Sequence, residues 1–380
     1  MKILYINDTS YPGINAGAIR AYYFCRYLSE WGNDITLITD RENKEFPWKT
    51  IKFSGKSIPQ IFPGFGFVPS ILNQTLKETK KQKFDLVFGS MPLFSSGLTA
   101  YIVHKIARIP LVIDVRDPFI RSMFQEEKTA GYIYQKSLKG RILKPLEAKI
   151  FGAAKEIIVT NPGIKKELMT VHKIHEKKIR VIYNGFDEKG WEKIEPKKFV
   201  KKTLLAAGRI TTAKSFDVVI GALKVLGDDW QFVMCGDGDA GIQKFLDAAK
   251  KEGVSEKVIF AGKLAQQEAI SYTKGADILV ASNQLNDSLK YAIPGRTFEY
   301  IAAGKPILAI WPKGGDFDEF LTKFDCGRIV GRDLEEVKKT ILFLYENRKE
   351  LGENARKASK NFTREDQAKQ LMHVFGEVVS

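Results

Sequence analysis

Short apolar runs alternate along the chain with stretches whose apolar residues recur every three or four positions. Residues 2–7, 34–39, 84–89, 111–115, 157–160 and 179–182 read as strands, and 17–31, 94–108 and 162–171 as helices between them. The pattern then restarts. Strands are predicted at 203–207, 231–235, 258–260, 278–280, 306–310 and 328–330, with helices at 216–226, 334–347, 350–360 and 364–378. Most of the strands are unbroken apolar runs, which fits parallel sheets covered on both faces. The expected fold class is therefore α/β, with two successive doubly wound, Rossmann-like units. Gly185, Gly190, Pro196 and several charges mark 184–200 as the linker. The expected domains are 1–190 and 191–362, with the helix 363–380 crossing back to the first. In open α/β sheets ligands bind outside the carboxyl ends of the strands. The chemistry is sought there, in a cleft between two facing sheets.

Composition narrows the class. At 44% hydrophobic and 28% charged, the chain has enough apolar residues for a core. No apolar run reaches the roughly 18 residues of a membrane helix, and the first residues turn polar too soon for a signal peptide. Three scattered cysteines fit a reducing cytosol rather than a disulfide framework. His172 and His175 lack a third ligand nearby, so no metal is expected. The net charge is +15, and residues 1–190 hold 30 basic against 18 acidic side chains. A basic half suits an anionic substrate, an anionic membrane or nucleic acid. No nucleic-acid module is recognisable, and a solvated lysine-rich surface is the plain alternative.

The second half carries a pattern suited to a diphosphate. Arg209 follows the strand ending at Gly208, and Lys214 comes five positions later, before a helix. Arg supplies a planar fork, Lys a point charge and the helix start free N–H groups. Gly236, Asp237 and Gly238 end the next strand, where glycines let a ligand approach the backbone. Lys263 and Leu264 follow the one after. Tyr291, Pro294, Gly295, Arg296 and Thr297 lead into a further helix, with Glu299 one turn inside, placed to accept two ribose hydroxyls or simply to favour the helix dipole.

Gly208-Arg209…Lys214, Gly236-Asp237-Gly238, Gly262, Ala276-Asp277-Ile278 and Phe298-Glu299-Tyr300-Ile301-Ala302-Ala303-Gly304-Lys305-Pro306-Ile307 stand in order and at spacings that resemble the family 4 retaining glycosyltransferases of the GT-B fold. Residues 179–187 resemble that family's stretch before its interdomain linker, and Gly13, Gly17 and Arg20 its glycine-rich acceptor-side loop. Val115-Arg116-Asp117 and the Ile293-Pro294 pair are similar to the branch that transfers amino sugars in surface-polysaccharide assembly. The resemblance implies a nucleotide-diphosphate sugar, a UDP-sugar first, bound by the second domain without a metal or other cofactor. Arg209 and Lys214 would hold the leaving diphosphate and Glu299 the ribose. Gly17 would approach the phosphates, and a glycan or lipid-linked acceptor would sit on the first domain near Tyr11, Asn15 and Arg20.

Two positions depart from the family pattern. Tyr291 stands where a first glutamate is common, eight positions before Glu299. Arg116 and Asp117 stand where many members have a histidine. Asp117 either orients the acceptor as a base or caps a helix ahead of Pro118. The aromatic segment 58–69 and the basic stretch 132–155 together suit an anionic bilayer at the cytoplasmic face. The alternative for 132–155 is an ordinary surface helix packing its stripe on the core. A nucleotide-sugar epimerase needs carboxylates and histidine around the sugar, and a nicotinamide enzyme needs a G-x-G-x-x-G that Gly13–Ala18 does not supply. A nucleotide-binding protein without turnover is the remaining rival.

Overall fold

The computed structural model describes the chain except residues 10, 12–15, 55–64, 92–93 and 117–137, and the side chains of 138–140 and 287–288. It divides into two compact units, one of Met1–Asn184 with Arg364–Ser380 and one of Gly185–Thr363.

Among the described residues the first unit holds a seven-stranded parallel sheet in the order β3-β2-β1-β4-β5-β6-β7. The strands are β1 (Lys2–Asn7), β2 (Asp34–Thr39), β3 (Lys49–Lys52), β4 (Leu86–Met91), β5 (Leu111–Val115), β6 (Glu156–Val159) and β7 (Ile179–Val181). Successive strand residues point to opposite faces, so each face has its own core. Leu4 and Ile6 join Val87, Ile113 and Ile157 in one cluster. That face is covered by α2 (Val68–Lys81), α3 (Phe94–Ala107), α4 (Leu138–Ala153) and α5 (Pro162–Val171). Ile3 and Tyr5 join Leu86 and Phe88 in the other, under α1 (Ala16–Glu30) and α13 (Arg364–Val379).

The second unit has a six-stranded parallel sheet in the order β10-β9-β8-β11-β12-β13. Its strands are β8 (Lys202–Ala207), β9 (Trp230–Cys235), β10 (Val258–Gly262), β11 (Ile278–Ser282), β12 (Ile307–Ile310) and β13 (Gly327–Val330). Its helices are α6 (Asp217–Leu223), α7 (Ala240–Glu252), α8 (Gln266–Gly275), α9 (Arg296–Ala302), α10 (Asp316–Phe324), α11 (Leu334–Glu346) and α12 (Arg348–Ser359). The chain reverses direction across the sheet between β8 and β11, which is a topological switch point of the kind that opens a ligand crevice.

In the first unit the two segments read as suited to a bilayer pack on the core where they are described, which for 132–155 is the plain alternative stated above. The part of the aromatic segment that is described turns inward. Phe65 stacks on Phe94 with centroids 5.1 Å apart, and Phe67 packs on Phe53 at 5.5 Å. Residues 58–64 lie outside the described residues. The basic stretch forms α4, but Leu143 and Ile150 are buried in the core, and Glu147 is buried against His172, with Oε2 3.1 Å from Nε2. Burial raises the Glu147 carboxyl above its usual range, and the His172 ring opposes that. Arg141, Ile142 and Lys149 remain exposed. No described helix is long and apolar enough to cross a membrane.

Candidate active site

In the first unit, side chains meet at the carboxyl ends of β1, β4, β5 and β6. Arg116, the residue after β5, donates from Nε to the Met91 carbonyl at 2.9 Å, and its Nη2 lies 3.7 Å from Asp8. Its carbonyl accepts the Thr160 hydroxyl at 3.0 Å. The guanidinium lies over Gly17 in the first turn of α1. A Cβ on Gly17 would fall 1.1 Å from Nη1, so the glycine is what lets Arg116 lie there. Asp8 is 6% exposed, and its carboxyl is raised by burial, with Arg116 pulling it back. Sequence reading singled out Gly17 and Arg116 but missed Asp8. Its place directly after β1 was the available clue.

Arg20 is corrected. It is 1% exposed and does not face an acceptor. Its Nε and Nη2 grip Asp114 at 3.2 and 3.0 Å, Nη2 also reaches the Ile182 carbonyl at 3.0 Å, and Nη1 reaches that of Tyr183 at 2.8 Å. Ser90 donates its hydroxyl to the same Asp114. Arg20 thus ties α1 to β5 and to the strand exit at 182–183. Tyr11 is exposed and stacks on Tyr22 with centroids 4.4 Å apart. Asn15 and Asp117 lie outside the described residues.

In the second unit the loops after β8, β9 and β10 are fastened to one another. Gly208 N–H donates to the Cys235 carbonyl, Ile210 N–H to that of Asp237 and Gly236 N–H to that of Gly262, at 2.8–2.9 Å. Gly236 has φ +150°, and a Cβ there would lie 1.9 Å from the Gly208 carbonyl oxygen. A Cβ on Gly238 would lie 2.3 Å from that of Ile210. These glycines serve loop-to-loop contact, which corrects the expectation that they clear space for a ligand. The half-buried Asp237 contributes its backbone carbonyl to this fastening.

The fastening holds the cations in place. Arg209 is exposed, and neither its side chain nor that of Lys214 makes a hydrogen bond or ion pair among the described residues. Lys214 borders a cavity of about 70 Å³ with Ile210, Phe216, Phe245 and Lys244. Burial lowers the pKa of its amine, as expected of a desolvated cation with no counter-charge. Arg296 opens α9 beside the β8 exit, and a Cβ on Gly208 would lie 3.5 Å from its Nε. Its Nη1 donates to Glu299 Oε2 at 2.6 Å, and Glu299 in turn holds the guanidinium charged. Glu299 therefore already carries one strong donor, a pairing visible in the sequence only as an i, i+3 spacing. Tyr300, next along, is buried and accepts the Ala207 N–H at 2.9 Å, docking α9 on the end of β8.

Gly295 is exposed with open space where a Cβ would stand, and Pro294 is half-buried beside it. Tyr291 is 37% exposed and ends a 3-10 turn, Asp287–Tyr291. Lys263 is exposed and Leu264 half-buried just beyond β10. Thr297 is corrected. Its side chain is 1% exposed and its N–H is bonded to the Pro294 carbonyl, so it faces the core rather than a ligand. The second unit thus gathers Arg209, Lys214 and the Arg296–Glu299 pair at the carboxyl ends of its sheet, at the switch point.

Comparison with known proteins identifies the chain. Residues 17–189 match the model described as Glycosyltransferase Family 4, and residues 187–362 the model described as Glycosyl transferases group 1. The chain belongs to the family 4-like glycosyltransferases. An uncharacterized glycosyltransferase of Methanocaldococcus jannaschii is 27% identical over 209 residues, covering 51% of each chain. The chain thus spans about half the length of that curated relative. Sucrose-phosphate synthase from Thermosynechococcus elongatus superposes with a TM-score of 0.78 at 15% identity, over 99% of this chain and 98% of that one. HepE from Anabaena, solved in complex with UDP, superposes with a TM-score of 0.75 at 15% identity, over 99% of this chain and 100% of that one. Both likenesses run through the two units and establish the GT-B fold for this glycosyltransferase.

Proposed function

We propose that the chain moves a sugar from a nucleotide-diphosphate donor to a glycan or lipid-linked acceptor, with retention of anomeric configuration and without a metal. The observation that carries this reading is that Arg209 and Lys214, at the carboxyl end of β8, have no hydrogen-bond or ion-pair partner for their side chains among the described residues. Cations fixed before a diphosphate arrives stabilise its departure, because no reorganisation is needed as charge develops. The Arg296–Glu299 pair suits the ribose and the adjoining phosphate. UDP is the first base to test, since HepE, of the same fold, was solved with it. The amino-sugar branch, a role in surface-polysaccharide assembly and a station at the inner face of an anionic membrane follow from the sequence resemblance and from exposed Arg141, Ile142 and Lys149. Arg116, with Asp117, is assigned to the acceptor side of the reaction.

A thermal-shift and calorimetry screen of nucleotide diphosphates, with and without magnesium, tests the reading. At a hundredfold excess over Kd a native-state ligand adds about 2.7 kcal/mol. UDP should raise the melting temperature equally with and without magnesium, and silence toward every nucleotide would sink the donor site. Glu299→Gln should weaken UDP binding about tenfold, the scale of one charge-assisted hydrogen bond; unchanged affinity would leave Glu299 as a helix-end acid. A second reading, nucleotide binding without turnover, is favoured by Tyr291 in place of the usual glutamate. It predicts the same melting shift but no sugar transfer and no UDP release from UDP-sugars.

A further inference from the structure

The amino ends of the second sheet, opposite the donor loops, hold a second gathering of cations. Asp277 precedes β11 and Lys305 precedes β12. The pairing of Leu279 with Ile307 sets Asp277 and Lys305 level on neighbouring strands. Helix α12 crosses directly over them. A Cβ on Gly352 would lie 2.3 Å from the Gly304 carbonyl oxygen, so the helix backbone rests on the residue before Lys305. Arg348 and Arg356 stand four positions before and after Gly352, on the same helical face. The glycine contact therefore fixes one arginine a turn to either side of Lys305. A Cβ on Gly304 would lie 2.7 Å from Arg356 Nη2.

Asp277, the carboxylate beside Lys305 and Arg348, is already occupied, and Arg348 also donates from Nη1 to the Tyr345 carbonyl at 2.7 Å. Asp277 Oδ2 accepts the Thr203 N–H at 2.8 Å, and Oδ1 lies 3.7 Å from Arg348 Nε. The side chains of Lys305 and Arg356 make no hydrogen bond or ion pair among the described residues. Lys305 is half-buried. Burial lowers its amine's pKa, Arg356 and Arg348 lower it further, and only Asp277 opposes them. The carboxyl end of α9 favours cations nearby, yet neither of these two side chains bonds its carbonyls. Backbone packing thus holds the half-buried Lys305 and Arg348 and the exposed Arg356 together, and leaves a place for an anion.

We propose that Lys305, Arg348 and Arg356 form a binding site for a small phosphate-type oxyanion at the amino edge of the second sheet, separate from the donor site. The arginine forks match the planar oxygen pairs of phosphate, and Lys305 adds a point charge between them. The site lies at the far end of α9 from Arg296. Seven helical residues place the two ends about 10 Å apart, so an anion here steadies the helix that carries the donor-side pair.

The test is calorimetry with inorganic phosphate, against sodium chloride at equal ionic strength, on the wild type, on Lys305→Met with Arg356→Gln, and on Lys214→Ala. Lys214→Ala should lose phosphate binding at the donor loop and keep it here, and the double variant should bind phosphate here at least tenfold more weakly. Equal binding by the double variant, a chloride effect of the same size, or loss of all binding in Lys214→Ala would each overturn the proposal. Acetylation of the wild-type chain, read by mass spectrometry, serves if the double variant does not fold. Phosphate should slow labelling of Lys305, and an unchanged rate would overturn the site without any substitution.

Discussion

Lys214→Ala and Arg209→Ala should each lower turnover of a nucleotide sugar by about 10²–10³-fold, the scale found when one preorganised charge-stabilising donor is removed. Stability should move by no more than about 0.5 kcal/mol. The two expectations are linked. A side chain that makes no internal bond has little to lose on truncation, and a half-buried amine whose charge is disfavoured by desolvation has less still. What it loses is the partner it lacks in the free protein. Release of the nucleotide diphosphate measures the first expectation and urea unfolding the second. Wild-type turnover in both variants, with the fold intact, would remove the diphosphate from this loop.

Arg20→Met should produce the opposite pattern, a loss of about 3–5 kcal/mol of stability in the first unit, since it strands a buried charge. Asp114 is wholly buried and receives Arg20 on both oxygens and the Ser90 hydroxyl on one. With Arg20 gone, the Ser90 hydroxyl alone faces the carboxylate, and the carbonyls of Ile182 and Tyr183 lose their donors too. Adding Asp114→Leu to Arg20→Met should restore much of the loss, because replacing both members of a buried pair is far cheaper than removing one. Urea unfolding of the wild type and the two variants decides it. A loss under about 1 kcal/mol in Arg20→Met would mean that the pair contributes nothing beyond its neighbours' packing.

The contrast between Arg20 and Arg209 marks where sequence reading runs out. Each is an arginine near the carboxyl end of a strand, and each matched the family pattern. One is locked in a buried network drawn from residues 90, 114, 182 and 183, and the other is exposed with no side-chain partner among the described residues. Only tertiary contacts separate them. Thr297 and Gly236 were misread for the same reason, since burial and loop-to-loop contact leave no local trace. The strands were legible because a parallel sheet buried on both faces needs continuous apolar runs, as in Leu111–Val115. β3 escaped because Lys-Thr-Ile-Lys has one apolar residue and lies at the sheet edge. The whole of α2 escaped as well, because Pro69 closes a segment that reads as a loop, although proline in the first turn suits a helix start.

The membership of α13 in the first unit sets an order of assembly. Leu371 and Phe375 are wholly buried, and Phe375 meets Phe88 edge to face at 5.1 Å on the strand next to β1. During synthesis these residues leave the ribosome after every residue of the second unit. Until they emerge, that face of the first sheet has α1 alone over it, and Phe88 lacks the ring of Phe375. The second unit is one unbroken length of sequence and can close as soon as it is made. The half of the protein that is begun first is therefore the half completed last. A chain ended at Thr363 and released should carry a protease-resistant second unit beside a first unit that is still cut.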